Sequence, residues 1–307
     1  MNILLWHVHG SWTTSFVQGK HRYLVPVNDD RDAWGRGRAR TFDWPDSVEE
    51  HPLEDIRDID VAIAQRPEEL DLIPPHVPVI YVEHNTPKDG DVPHSRHPLA
   101  DRDDLVIAHV TDFNDLFWDT GGTRTTVIDH GIVEPKARWT GDLERLAIVT
   151  NEPVRRGRVT GTDLFGRFTT VAPVDVFGMG VTGLEGVTVF DDPPQHEMHA
   201  EVARRRAYLH LCRWTSLGLS LIEAMQMGMP VLALATTEAV AAVPPDAGVI
   251  ATRVDTLVEA AQWLIDEPDA AARMGERARQ VALAKYGLDR FLADWDRLLE
   301  EETCASR

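Results

Sequence analysis

Residues 207–236, AYLHLCRWTSLGLSLIEAMQMGMPVLALAT, decide how the fold is read. Ala207 to Cys212 is an apolar run of strand length, a turn containing Thr215, Ser216 and Gly218 follows, and a helix is expected from about Ser220 to Met227. Gly228 and Pro230 then punctuate the chain ahead of a second short buried strand, Val231 to Leu234. Strand, loop, helix and strand in this order form a unit whose two strands run parallel. In an open sheet of that kind ligands bind beyond the carboxyl ends of the strands, where the helix also presents unpaired backbone N–H groups.

The residue types at that edge suit a phosphate. Gly218 lets an anion approach the backbone, Ser216 and Ser220 offer hydroxyl donors, and the helix dipole favours negative charge. Glu223 sits one turn further in. A carboxylate there accepts hydrogen bonds from something other than phosphate, and the vicinal hydroxyls of a ribose fit. An ordinary helix with an acidic first turn has the same appearance.

The run GLSLIEAMQMGMPVLAL resembles the nucleotide-sugar signature of GT-B glycosyltransferases, in particular the retaining family 4, or glycosyl transferases group 1. There a loop of the type E-G-F-G-L precedes L-E-A-M-A-x-G-x-P-V-V, and Leu219, Ile222, Glu223, Ala224, Met225, Gly228, Pro230 and Val231 fall in register. The resemblance implies that Glu223 holds the donor ribose. The signature's other glutamate, which grips the donor sugar, falls on Thr215. The fold class implied is α/β of the GT-B kind: two doubly wound Rossmann-like domains facing across a cleft. Residues 1–133 would form the acceptor side, 134–286 the nucleotide-sugar side, and 287–307 a C-terminal helix crossing back to the first domain.

Composition agrees with this class. With 43% hydrophobic and 26% charged residues, 307 residues suffice for two domains. A formal charge of −19 argues against nucleic acid or anionic lipid as partners, since both need clustered Lys and Arg. The two cysteines, Cys212 and Cys304, show no metal-ligand spacing and no disulfide framework, which points to a reducing compartment. No apolar run is long enough to span a bilayer, and MNILLWHVHG does not read as a leader, so the expected location is cytoplasmic, with no integral membrane segment.

In the first half, strands are expected at 2–7, 23–27, 61–64, 79–83, 105–108 and 125–128, with residues 28–50 as a long loop. His7, His9 and Gly10 stand in the first strand-to-helix loop, where they meet an acceptor or donor phosphate or simply form a polar turn. Arg36, Arg38 and Arg40 beside Trp34 and Trp44 either receive an anionic acceptor or are solvated surface. The turn EHNTP places His84 at a strand end, and the resemblance implies that this histidine lies near the donor sugar in the interdomain cleft. DHGIVEP, with His130 and Gly131, resembles the family's crossing between domains.

In the second half, NEPVRRGRVTGTDLF follows a strand expected at 146–150. Gly161, Asp163 and Leu164 match the family's Gly-x-Asp segment, before which an arginine and a lysine neutralise the donor diphosphate. The lysine position is Thr160, so Arg155, Arg156 and Arg158 are the candidate cations, with the choice among them open. Arginine suits the task, since its planar fork holds two phosphate oxygens at once and stays charged. Gly178 and Gly180 resemble the glycine turn under the nucleotide base. QHEMHAEVARRR reads as a helix, followed by helices at 254–266, 269–285 and 288–301, the last with Leu288, Phe291, Leu292, Trp295, Leu298 and Leu299 on one apolar face.

The function implied is hexosyl transfer, with anomeric retention, from a nucleoside diphosphate sugar, a UDP or GDP sugar, to an acceptor that is a small molecule, glycan or natural product. No metal or cofactor is required in this reading. Two alternatives stay open: a catalytically silent nucleotide-sugar binding subunit, made tenable by Thr215 and Thr160, and a GT-B nucleotide-sugar epimerase or hydrolase.

Overall fold

Short apolar runs alternating with turn residues build two separate parallel sheets in the computed structural model, which describes residues 1–88 and 91–305. The chain divides into two units, Met1–Val133 with the segment that begins at Tyr286, and Glu134–Lys285. The last two residues of the C-terminal segment 287–307 lie outside the described residues.

The first unit holds β1 (Asn2–Leu5), β2 (Arg22–Pro26), β3 (Val48–His51), β4 (Val61–Ala64), β5 (Val79–Glu83), β6 (Leu105–His109) and β7 (Arg124–Val127), with α1 (Gly10–Phe16) and α2 (Asp112–Phe117). Its sheet has the order β3-β2-β1-β4-β5-β6-β7, every pair parallel. Strands covered on both faces are continuously apolar, as β4 is with Val61, Ala62, Ile63 and Ala64 fully buried. The strand order reverses between β1 and β4, which makes their carboxyl ends the switch point of this sheet.

The second unit holds β8 (Leu143–Val149), α3 (Pro153–Arg156), α4 (Phe165–Phe168), β9 (Val174–Gly178), β10 (Thr188–Asp191), α5 (Gln195–Val202), β11 (Arg205–His210), α6 (Leu219–Met227), β12 (Val231–Leu234), α7 (Ala239–Ala242), β13 (Gly248–Ala251), α8 (Val254–Asp266) and α9 (Pro268–Tyr286). The order β10-β9-β8-β11-β12-β13 is again fully parallel and doubly wound, with its switch point between β8 and β11. α6 ends on Gly228, whose left-handed φ of 88° is the usual glycine stop.

The last helix, α10 (Leu288–Ala305), belongs to the first unit, and its buried residues explain why. Phe291, Trp295, Leu298 and Leu299 join one apolar cluster with Ile3, Leu5, Trp12 and Phe16, and Trp12 meets Trp295 edge-on at 5.6 Å. Losing one such buried aromatic costs about 3–5 kcal/mol.

Two expectations need correction. Residues 28–50 are not all loop: β3 pairs with β2 from Tyr23↔Val48 to Pro26↔His51. Its sequence, VEEH, has one fully buried apolar side chain because it is an edge strand, and Glu49 and Glu50 are held by Arg22 at 2.7 Å and Arg31 at 2.9 Å. The helix expected through Arg206 stops at Val202 instead, and Arg205 and Arg206 open β11. Burial of these arginines is tolerated because Arg205 donates to the fully buried Asp175 at 2.8 Å, while Arg206 donates to the carbonyls of Gly141 and Ile265 at 3.0 and 2.7 Å.

Among the described residues no helix is long and apolar enough to cross a membrane, and no group of three His, Cys, Asp or Glu could hold a metal ion.

Candidate functional site

The loops after β8, β9 and β11 are locked together at the carboxyl edge of the second sheet. Gly178 ends β9 with φ 137°, and a Cβ there would lie 2.1 Å from the Thr150 carbonyl oxygen, so only glycine permits this approach. Asn151 Oδ1 accepts the Met179 N–H at 2.9 Å, and the Glu152 N–H donates to the Met179 carbonyl at 2.7 Å. Gly161 does the same on the other side, where its Cβ would stand 2.0 Å from the Leu211 carbonyl oxygen. The Arg213 N–H and the Cys212 thiol both donate to the Val159 carbonyl, at 2.8 and 3.2 Å. The turns following β8 and β11 are therefore stitched across the switch point.

This framework separates the three candidate arginines. Arg155 is paired with Glu152 at 2.9 Å, and Arg158 reaches Asp163 at 3.1 Å. Arg156 makes no ion pair or side-chain hydrogen bond among the described residues. Burial pushes the Cys212 thiol up, and the positive charge of Arg156 works against that rise. Thr160 is buried, and its hydroxyl is spent inside the turn on the Gly157 carbonyl at 3.0 Å and on Thr162 at 2.9 Å.

A fourth cation was not evident in the sequence. Arg213 forks onto Asp163 at 2.6 and 2.9 Å and donates to the Arg158 carbonyl at 2.8 Å. Its only sequence signal is a lone arginine directly after an apolar strand. Within residues 150–164 and 211–218, four arginines, Arg155, Arg156, Arg158 and Arg213, outnumber the two carboxylates, Glu152 and Asp163.

α6 begins at Leu219, with Gly218 as its N-cap, in an extended conformation. A Cβ on Gly218 would lie 2.6 Å from the His210 ring, which burial pushes down to about 4 and so keeps neutral at pH 7. Ser216 is buried, Thr215 is half-buried, and Ser220 is committed: its hydroxyl accepts from Tyr208 at 2.9 Å and donates to the Val149 carbonyl at 3.4 Å. Glu223 is 8% exposed, with Oε1 accepting from Gln195 Nε2 at 3.2 Å and Oε2 lying 3.2 Å from His199 Nε2. Gln195 and His199 were not evident either. They stand four apart on α5, and that spacing in QHEMH was the available signal. Gly178, Gly180, Thr215, Ser216, Gly218, Leu219, Ser220, Glu223 and the arginines all lie at or beyond the strand ends of this one sheet.

Gly10 and His84 belong to the first unit instead. Gly10 opens α1 after β1, beside His7 and Phe42. His9 packs 4.0 Å from His84, whose Nε2 lies 3.0 Å from Gln65 Oε1. Gln65 donates its own amide to the Trp6 carbonyl at 2.9 Å, so its oxygen faces His84, and His84 carries its proton on Nε2. The adjacent Asn85 is pinned by the Glu83 carboxylate at its N–H, 2.6 Å, and by the Trp118 indole at its carbonyl, 2.8 Å. Burial lowers His9 to about 4, His130 to about 3 and His84 well below the usual imidazole range, so all three are neutral at pH 7.

The expected arginine cluster of the first unit is broken up. Arg38 donates to the carbonyls of Trp44 and Pro45 at 2.7 and 3.0 Å, and Trp44 is buried with its indole on Thr14 at 2.8 Å. Trp34, Arg36 and Arg40 remain exposed, with Arg66 stacked 4.0 Å over Trp34.

Two doubly wound parallel sheets with a final helix returning to the first unit define the GT-B class of glycosyltransferase fold. Comparison with known proteins gives the same answer. Residues 182–281 match the family model described as "Glycosyl transferases group 1". Sucrose-phosphate synthase from Thermosynechococcus elongatus superposes with a TM-score of 0.73 over 99% of this chain and 100% of that one, at 13% identity. HepE from Anabaena, solved in complex with UDP-glucose, gives 0.70 over 98% and 100%, at 14% identity. AviGT4, a glycosyltransferase involved in avilamycin A biosynthesis, gives 0.67 over 99% and 98%, at 13% identity. No curated protein sequence matches the chain. The protein thus has the GT-B fold and carries the group 1 glycosyltransferase signature in its second unit.

Proposed function

We propose that this protein is a retaining hexosyltransferase that binds a nucleoside diphosphate sugar at the carboxyl edge of its second unit and transfers the sugar to an acceptor hydroxyl. The observation that carries this reading is the convergence of three features there: close-approach glycines at Gly178 and Gly218, an excess of arginine, and the nearly buried carboxylate of Glu223. Glu223 accepts the ribose hydroxyls, Ser216 and the start of α6 meet phosphate, and the turn at Gly178 and Gly180 lies under the base. Ser220 contributes as a brace between Tyr208 and the β8 end rather than as a free donor.

Arg156 is the arginine of the three best placed for the diphosphate, because it alone has no carboxylate to satisfy. Fixed positive charge opposite a leaving diphosphate stabilises the charge that develops as the glycosidic bond breaks. In a front-face displacement that diphosphate also takes up the proton of the attacking hydroxyl, so anomeric configuration is retained. Charge neutralisation by arginine makes a metal ion unnecessary in this account. His84, neutral and held by Gln65, is assigned to the transfer step from the first unit, the acceptor side. UDP is the preferred nucleotide, supported by the UDP-glucose complex of HepE, with GDP as the alternative. The compartment proposed is the cytoplasm.

A second reading, a silent nucleotide-sugar binder, rests on Thr215 and Thr160, neither of which can supply the charge expected at its position. Labelled UDP and GDP sugars incubated with and without an acceptor-containing lysate fraction distinguish the readings. A new glycoside that forms only with acceptor supports transfer. Donor hydrolysis or epimerisation without acceptor supports the other enzymes, and binding without turnover supports the silent subunit.

A further inference from the structure

We infer that Arg213 is a second diphosphate-binding cation of the second unit, reaching the ligand from the β11 turn opposite Arg156, with Asp163 holding it in place. The inference rests on the donor-binding reading above and adds a residue to it. Three observations support it. The first is position: Arg213 lies in the turn three residues past the end of β11, Arg156 lies on α3 in the turn after β8, and these are the two strands that flank the switch point, where a doubly wound sheet binds its ligand.

The second is charge. Asp163 serves both Arg158 and Arg213, so one carboxylate leaves the trio with net positive charge. The third is preorganisation and spare capacity. The Arg213 backbone is tied to the Val159 carbonyl at 2.8 Å and its side chain is 25% exposed, whereas that of Arg158 is 77% exposed and has one bond. A guanidinium offers five N–H donors, of which Asp163 and the Arg158 carbonyl use three, leaving donors for phosphate oxygens. A side chain already immobilised loses little further freedom on binding.

A competing role for Arg213 is to brace the turn 157–163 through Asp163. The two roles separate in calorimetric titrations of the full chain with UDP and GDP, using uridine and guanosine as controls. Arg213→Gln should lower diphosphate affinity roughly tenfold or more with little change for the nucleosides, since only a charge-assisted phosphate contact is lost. Asp163→Asn, which loosens the hold on Arg213 but keeps the cation, should cost clearly less than Arg213→Gln, roughly threefold or below. Arg213→Lys, which keeps a charge without the fork, should give an intermediate preference and provides the reading should the Gln variant not fold. Parent-like diphosphate preference in Arg213→Gln or in Arg213→Lys overturns the inference, and so does an equal loss in Asp163→Asn. If the parent binds no nucleotide at all, the donor reading itself fails; if the parent binds and the Arg213 variants bind as it does, the donor reading stands and Arg213 does not contribute.

Discussion

Replacing Glu223 with Gln keeps the side chain's shape and removes its charge, and the surroundings set the size of the effect. Gln195 donates to Oε1 at 3.2 Å, which obliges the new amide to keep its oxygen on that side. The NH2 group then replaces Oε2, beside His199, where it can no longer accept from a ribose hydroxyl. The hydrogen bonds that Glu223 makes within the fold are long, so folding stability should change by no more than about 1 kcal/mol. The ligand loses a bond to an ionised acceptor, worth about 1–2 kcal/mol, or roughly 5- to 30-fold in nucleotide affinity. Calorimetric titration with nucleoside diphosphate, beside a urea unfolding curve for each protein, reads both quantities. A variant that binds as the parent does but unfolds earlier would show that Glu223 serves α5 and not the nucleotide.

Two further outcomes follow from the first unit and from buried imidazoles. His84→Ala should slow transfer while leaving nucleotide affinity nearly unchanged, since His84 lies in the other unit from the proposed nucleotide site; steady-state kinetics beside a binding titration checks this, and normal turnover with early melting would make the histidine structural. Because His9, His130 and His210 titrate near 4, 3 and 4 in the fold against 6.5 when unfolded, the unfolded chain binds more protons below pH 6.5. Stability should therefore be level above that pH and fall as the pH drops from 6.5 towards 4, with His210 alone accounting for up to about 3 kcal/mol; the urea midpoint against pH should decline less steeply in His210→Gln.

What could be read from the chain follows from which interactions are local. β4, β5 and β12 fall where the apolar runs place them, because strands covered on both faces are built mainly of apolar residues. β3 was invisible for the opposite reason: an edge strand with a solvated face reads as VEEH. Arg205 and Arg206 looked helical until Asp175, on a different strand, accounted for the burial of Arg205. Site residues follow the same rule. Glycines needed for close approach, Gly178 and Gly218, sit in a recognisable turn and helix start. Arg213 depends on Asp163, 50 residues earlier, and Glu223 on Gln195, 28 residues earlier, so neither pairing has a sequence pattern. Pairing with Glu152 and Asp163 likewise engages Arg155 and Arg158 and leaves Arg156 without a carboxylate partner among the described residues.

The central claim is that a nucleoside diphosphate sugar sits at the carboxyl edge of the second unit, between the turns after β8 and β11. Hydrogen exchange followed by mass spectrometry, with and without saturating UDP-glucose or a GDP sugar, tests it directly. The account predicts slowed exchange in residues 151–163, 178–180 and 213–223, where the glycine turns, the arginines and the start of α6 would close on the ligand. Protection confined to the first unit, or none at concentrations where binding is established, would contradict it.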